Sequence, residues 1–420
     1  MTEVTLSINA ARLQSRLLQL GEVGALVGGG VSRLALSDDD KLGRDLVVSW
    51  MKGLDLDIAI DPIGNVVATL KGSQDLPCIM MGSHIDTVST GGLYDGNLGV
   101  LAGLEVIETL IESNLTPVHP VSVGFFTNEE GSRFAPDMLG SAVYAQTLDL
   151  QTALKIKAID GPTLEDELQR IGYQGTAQFP DISKQVGAYF ELHVEQGPVL
   201  DEQNIEIGVV EGVQGISWHE YTVTGISNHA GTTPMQYRND AGLVAAKINV
   251  FINELADSMA PDQHATVGAL EIKPNLINVI PNFAKFTVDL RNRSEIELQK
   301  AESALSDYID KLIKKHGVEI SKRKLARFEP VNFNPSLING IEAVAKANKL
   351  STTRMFSGAG HDAQMFAPHC PTTMIFVPSY KGISHNIDEY TSPEQVANGA
   401  NVLLQTVSEL AYQKRSLPHV

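Results

Sequence analysis

Three short, almost wholly apolar runs constrain this chain most: CIMM at 78–81, VSVGFFT at 121–127 and PTTMIFVPS at 371–379. Runs of this length with no alternation suit strands buried on both faces of a sheet. Helical patterns lie between them. Leu13, Leu17, Leu18 and Leu20 recur at helical spacing, and a further helix is expected near 99–112. Ser37 with Asp40 three residues later resembles a capping box for a helix through Leu46, Val47 and Trp50. Strands are expected at 54–60 and 66–70, around the turn Asp61-Pro62-Ile63-Gly64-Asn65. Buried strands alternating with helices imply an α/β layer with a mostly parallel sheet and flanking helices.

The pattern changes from about Val213. WHEYTVTG at 218–225 alternates apolar and polar residues, a helix is expected over 239–256, then strands ATVGALEI and FAKFTVDL, then a helix over 294–315. This β-α-β-β-α order fits a small α+β domain with an antiparallel sheet. The first pattern returns after Pro330. The expected organisation is therefore a discontinuous catalytic domain, 1–211 with 328–420, and an inserted domain, 212–327.

Composition excludes several classes. With 50 acidic and 32 basic residues the net charge is −18, which opposes binding to nucleic acid or an anionic membrane. No stretch approaches a membrane span and the start lacks the form of a secretory signal, so a cytoplasmic protein is expected. Cys78 and Cys370 are too few for a disulfide scaffold or a cysteine-rich zinc site. Gly28-Gly29-Gly30 is not followed by Lys-Ser or Lys-Thr, and no GxSxG elbow occurs.

Five segments set metal-ligand residue types among small residues close to the apolar runs: Gly82–Thr87, Tyr94–Gly96, Asn128–Ser132, His193–Gly197 and Ser384–Asn386. Ligands of open α/β sheets bind at the carboxyl ends of strands, where these segments fall. Asp86, two residues after His84, could hydrogen-bond its imidazole and fix the tautomer. Asp95, in the loop GGLYDGN, could bridge two cations through its two oxygens. Of the adjacent pair Glu129 and Glu130, one could ligate a metal and the other hold a water for deprotonation. His193 and His385 would complete a set suited to zinc, manganese, cobalt or nickel rather than calcium or magnesium. Each feature alone also fits a loop histidine, a solvated acidic pair or a turn; their joint occurrence favours a metal site.

GSHIDTV, GGLYDGNLGV, TNEEGSRF, HVEQGPVL, GISNHAGTTPM, NVIPN with DLRNR, SGAGHDA and SHNIDEYT occur in that order. Together they resemble the amidase/hydantoinase/carbamoylase branch of the dinuclear metallopeptidase superfamily that also contains aminoacylases and carboxypeptidase G. The resemblance implies that His84, Asp95 and His193 hold one divalent metal, and Asp95, Glu130 and His385 the other. It makes Glu129 the general base on the water the metals activate, with Asp86 orienting His84. The inserted domain would be a lid and dimerisation domain, giving a homodimer and supplying His229, Asn278 and Arg291. Gln196 and the backbone near Gly360 would line the substrate pocket.

These roles have a physical basis. His229, in a loop after a strand, could donate to an oxyanion, or be a surface histidine. Arg291 could clamp a substrate carboxylate bidentately, or form a surface salt bridge; Arg293 and Arg238 rank below it. Asn278 could fix an amide or carboxylate oxygen, or cap a turn. His361 and Asp362 are not assigned to metal. The implied activity is hydrolysis of the ureido bond of N-carbamoyl-L-amino acids or N-carbamoyl-β-alanine, giving amino acid, carbon dioxide and ammonia. An allantoate amidohydrolase shares all these motifs. A dipeptide hydrolase fits His193 less well, and a catalytically silent metal-binding dimeric scaffold fits the intact Glu129 less well.

Overall fold

The structure is a computed structural model, and it describes residues 6–413. The chain divides into two compact units, Met1–Gly212 with Asn332–Val420, and Val213–Val331. The ends of the first unit, 1–5 and 414–420, lie outside the described residues.

The centre of the first unit is four parallel strands in the order Val121–Phe126, Cys78–His84, Val186–Val194, Thr372–Val377. Every residue of the first, third and fourth is buried. That is why they read as unbroken apolar runs: helices and loops cover both faces. Antiparallel strands extend both sides, Val66–Leu70 and Asp57–Ile60 on one, Ile207–Val213 on the other. The helix Asn97–Glu112 lies on the strands through glycines. A Cβ at Gly99 would stand 2.6 Å from the Leu192 carbonyl oxygen, and one at Gly103 would stand 2.7 Å from a Val123 methyl.

The helix Ala10–Gly21 is tied to this one by charge. Glu105 is fully buried and accepts from Arg12 Nε at 2.7 Å and from the Asn9 main-chain amide at 2.9 Å. A polar group buried this deeply is costly unless it is hydrogen-bonded in this way. Ser37 does cap the helix Asp38–Gly53, accepting from the Asp40 amide. The box is only half formed, because the Asp40 carboxylate turns instead to the Leu36 amide and to Arg44, both at 2.7 Å.

In the second unit the strands Gly215–Thr224, Phe283–Asn292 and Glu319–Phe328 form an antiparallel sheet. Helices Ala241–Ser258 and Glu295–His316 bury their apolar sides against it, around Phe286, Val244 and Leu305. The expected strand ATVGALEI is two pieces, His264–Thr266 and Leu270–Lys273. Between them the Thr287 hydroxyl, not a ladder carbonyl, accepts the Ala269 amide. Among the described residues, no helix is long and apolar enough to cross a membrane.

His219 sits on the buried face of this sheet, its Nδ1 3.2 Å from the Ser217 hydroxyl. Burial, with Lys322 adding to it, pushes its pKa down to about 4. An unfolded chain would protonate His219 near the ordinary value of about 6.5. Between those values the unfolded state binds the extra proton, so this histidine's contribution to stability is lost as pH falls. His219→Gln should therefore lessen the drop in urea midpoint between about pH 7 and pH 5, by at most about 2 kcal/mol in unfolding free energy.

Candidate metal centre

The parallel strands deliver the site residues to one edge. His84 ends the strand Cys78–His84, Glu129 and Glu130 follow Val121–Phe126, and His193 precedes the end of Val186–Val194. Asp95 lies just before the helix Asn97–Glu112, where the helix dipole favours a carboxylate. His385 comes from the loop after Thr372–Val377.

Asp95 is the common point. Its Oδ1 lies 3.2 Å from His193 Nε2 and 3.6 Å from His84 Nε2, and its Oδ2 lies 3.2 Å from His385 Nε2. His385 Nε2 is also 3.4 Å from Glu130 Oε2, and His84 Nε2 is 3.3 Å from Glu129 Oε2. Two groups able to hold a cation result: His84, Asp95, His193 and Asp95, Glu130, His385. The expected five ligands and the expected base are thus brought together. Gly96 makes the approach possible: its φ is +65°, and a Cβ there would stand 2.4 Å from the His84 ring.

The donor set fits cations. His84 and His193 each turn Nδ1 to a main-chain carbonyl, of Asp86 at 2.8 Å and of Val194 at 2.9 Å. That directs both Nε2 atoms inward as acceptors when the rings are neutral. Among the described residues, the ion pairs of Asp95, Glu129 and Glu130 are all to histidines. Glu130 Oε1 is buried with no hydrogen-bond partner. Buried carboxylates of this density call for positive charge. A third group, Glu191, His193 and His361, also lies close together. There the Nε2 of His361 meets the Ser357 hydroxyl at 2.8 Å, and His193 already faces Asp95.

The electrostatics follow. Burial pushes the Asp95 carboxyl up, but hydrogen bonds from His193, His385 and His84 outweigh it and hold it well below the usual carboxylate range. Burial, with the nearby Asp362, Glu130 and Asp86 carboxylates, raises Glu129 well above that range against the opposing pull of His84. Burial and Asp95 together raise Glu130 to about 8.

Asp86 departs from expectation. Its main-chain carbonyl, not its carboxylate, holds the His84 ring. The carboxylate accepts from the main-chain amides of Glu129 and Glu130, each at 3.3 Å, and so fixes the loop carrying the expected base. Gln196 reaches into the centre, donating to Asp95 Oδ2 at 3.0 Å. Gly360 packs near Met138, whose amide donates to the Glu129 carbonyl at 2.7 Å.

Three buried charged groups beside the site have no role among the sequence expectations, which name Asp362 only to leave it off the metal. Asp362 is fully buried with neither carboxylate oxygen hydrogen-bonded. Arg33 is fully buried and donates to the Ile85 carbonyl at 2.7 Å and to Asn97 Oδ1 at 2.8 Å, joining the His84 and Asp95 segments from below. Glu389 accepts from the Tyr94 and Asp95 amides. Asp362 lies in SGAGHDA and Glu389 in SHNIDEYT, which is the signal that could have found them, and Arg33 carries none.

Within the second unit, His229 Nδ1 accepts from the amides of Gly231 at 3.0 Å and Thr232 at 3.3 Å, which leaves Nε2 as the protonated, donating nitrogen. Its loop is tied to Asn278, whose carbonyl accepts from the Ala230 amide. Arg291 forks onto the Asp289 carboxylate at 2.9–3.1 Å and stacks 5.5 Å above the Trp218 ring. Arg293 pairs with Asp262, and Arg238 donates to the carbonyls of Thr233 and Ala230.

The Asp86 geometry makes a discriminating prediction. If Glu129 is the base that the sequence resemblance implies, Asp86→Ala should lower turnover about 10- to 100-fold through a misplaced Glu129. Cation affinity at the His84, Asp95, His193 group should hold, because a main-chain carbonyl still orients His84; metal titration beside steady-state kinetics checks both.

Residues 80–409 match Peptidase family M20/M25/M40. An N-carbamoyl-L-amino-acid amidohydrolase of Rhizobium meliloti is 39% identical over 96% of this chain and 97% of its own length. A ureidoglycolate hydrolase of Arabidopsis thaliana is 34% identical over 97% of this chain and 88% of its own. The crystal structure of an amidase of the hydantoinase/carbamoylase family from Burkholderia multivorans superposes with a TM-score of 0.93 at 41% identity, covering 97% of this chain and 99% of that one. With its fold, its clustered His, Asp and Glu side chains and these matches, the chain belongs to the metal-dependent Peptidase family M20/M25/M40, among the hydantoinase/carbamoylase amidases.

Proposed function

We propose that this protein hydrolyses the ureido bond of N-carbamoyl amino acids, using two divalent cations in the cage centred on Asp95. The chain is a hydrolase of non-peptide carbon–nitrogen bonds in linear amides, as are relatives named N-carbamoyl-L-amino-acid amidohydrolase at 39% and 37% identity. The observation that carries the finer reading is Asp95 itself: its two oxygens face different imidazoles, with Glu130 beside one of them and Glu129 beside another.

His84, Asp95 and His193 would hold one ion, and Asp95, Glu130 and His385 the other; zinc, manganese, cobalt and nickel all suit them. Such ions, when bound, polarise a carbonyl and acidify water. Glu129 then takes a proton from the attacking water and returns it to the leaving nitrogen. Its burial favours this, since it keeps the carboxylate avid for a proton. His229 donates from Nε2 to the developing oxyanion. Asn278 and Arg291 recognise the substrate carboxylate, which competes with Asp289 for the guanidinium. Gln196 and the backbone near Gly360 line the pocket. Asp86 holds the Glu129 loop. The second unit serves as lid and dimerisation domain in a homodimer.

A second reading is a ureidoglycolate- or allantoate-type hydrolase, favoured by the ureidoglycolate hydrolase relatives of Arabidopsis thaliana and Oryza sativa. Ammonia release from N-carbamoyl-L-methionine, N-carbamoyl-β-alanine, ureidoglycolate and allantoate, with added manganese, separates the two. The proposal expects the N-carbamoyl amino acids to give the highest kcat/KM, and preference for ureidoglycolate or allantoate would overturn it.

Two variants test the roles. Glu129→Gln should reduce turnover about 100- to 10,000-fold with bound metal unchanged, and near wild-type turnover would remove Glu129 as base. Arg291→Ala should lower kcat/KM for carboxylate substrates by about 10- to 100-fold, the range of a charge-assisted hydrogen bond, and spare an uncharged ureido analogue. Equal losses on both would exclude the clamp.

A further inference from the structure

The two proposed cation groups are not built alike. His84, Asp95 and His193 are all buried, on or beside central strands, whereas His385 is half exposed and sits in a surface loop with φ +53°. Something must bring that loop to Asp95 and keep it there. The candidate is Glu389, four residues after His385, whose side chain is turned inward from the same loop and is 5% exposed.

The Glu389 contacts join the two loops. Oε1 accepts from the main-chain amides of Tyr94 and Asp95, each at 3.1 Å. Oε2 accepts from the Ser384 hydroxyl at 3.1 Å, and that hydroxyl also stands 3.4 Å from Asp95 Oδ2. The Glu389 amide closes its own loop on the Asn386 carbonyl at 3.1 Å. Its seat exists because residue 92 is glycine: a Cβ there would stand 2.1 Å from Oε1. The Thr90 hydroxyl adds a long contact of 3.4 Å to the His385 carbonyl.

We propose that Glu389 is a positioning residue for the second cation: it bonds the backbone of the Asp95 loop to the His385 loop, so that Asp95, Glu130 and His385 close on one ion. This rests on the two-cation reading above. Removing the clasp frees the exposed loop while leaving His84 and His193 anchored in their strands. The second cation site therefore weakens selectively. The clasp works through accepting geometry: a glutamine carbonyl can take both amides, and its NH2 can donate to Ser384.

The test is titration of Co2+ into metal-free protein, followed by visible absorption and calorimetry. His385→Ala identifies which equivalent belongs to the second group. Wild type should bind two equivalents. Glu389→Ala should weaken the second equivalent about 10- to 100-fold, the range for residues that hold metal ligands, with the first little changed. Glu389→Gln should restore most of that loss, and Ser384→Ala, which cuts the Oε2 link and the longer contact to Asp95 while leaving both amide bonds to Oε1, should weaken the second equivalent partially. Fewer than two equivalents in wild type would overturn the two-cation reading and this inference with it. Two equivalents in wild type, with Glu389→Ala unchanged or weakened equally at both sites, would overturn this inference alone. Should Glu389→Ala lose its circular-dichroism signature of folding, Ser384→Ala decides: wild-type affinity for the second equivalent overturns the clasp.

Discussion

Asp95 is the one residue that both cation groups require, and the rest of the centre can be understood as what it takes to bury it. A carboxylate 2% exposed at the edge of a sheet pays a desolvation penalty that only close positive partners offset. Here three imidazoles, the Gln196 amide and the start of a helix surround it. Placing those partners requires three strands to end at the same edge, and a fourth brings Glu129 and Glu130. A parallel sheet does this because all its carboxyl ends lie on one side. The uniformly apolar strands and the cluster of charge at their tips are two consequences of one topology.

The layers beneath the ligands are mostly main-chain contacts. Carbonyls of Asp86 and Val194 orient His84 and His193, and Arg33 joins the Ile85 carbonyl to Asn97. Arg44 reaches the Gly64 carbonyl and the Thr127 hydroxyl below the Glu129 loop. Both arginines are fully buried, and burial brings the Arg33 pKa down to about 10, still high enough to remain charged. Such contacts set a ligand's position without adding to the ligand count, which is why they are costly to lose.

The difference between what was legible in the sequence and what was not follows the same line. Apolar runs, the two helices of the second unit and the clustering of His, Asp and Glu after strands are carried by side-chain type and period, and the structure has them. Asp86 was misread because spacing places it beside His84 but cannot say whether its carbonyl or its carboxylate does the orienting. The role of Glu389 is not legible, although the residue lies in SHNIDEYT, because its partners are amides 294 and 295 residues away and any residue type but proline has an amide. Arg291 and Asp289 share one face of a strand at a separation of two residues, so their pairing could have been read from the alternation.

That pairing bears on how the second unit could discriminate substrates. An Arg291 guanidinium already forked onto Asp289 and lying over Trp218 is preorganised, so little side-chain entropy remains to be lost when a ligand arrives. It is also partly neutralised, so a neutral ureide gains little from it. If Arg291 takes the substrate carboxylate as proposed, only a ligand that is itself anionic would repay the displacement of Asp289. The same carboxylate that holds the arginine ready thereby raises the threshold for any group that is not a competing carboxylate, and selectivity of this kind comes from the partner that must be displaced as much as from the clamp.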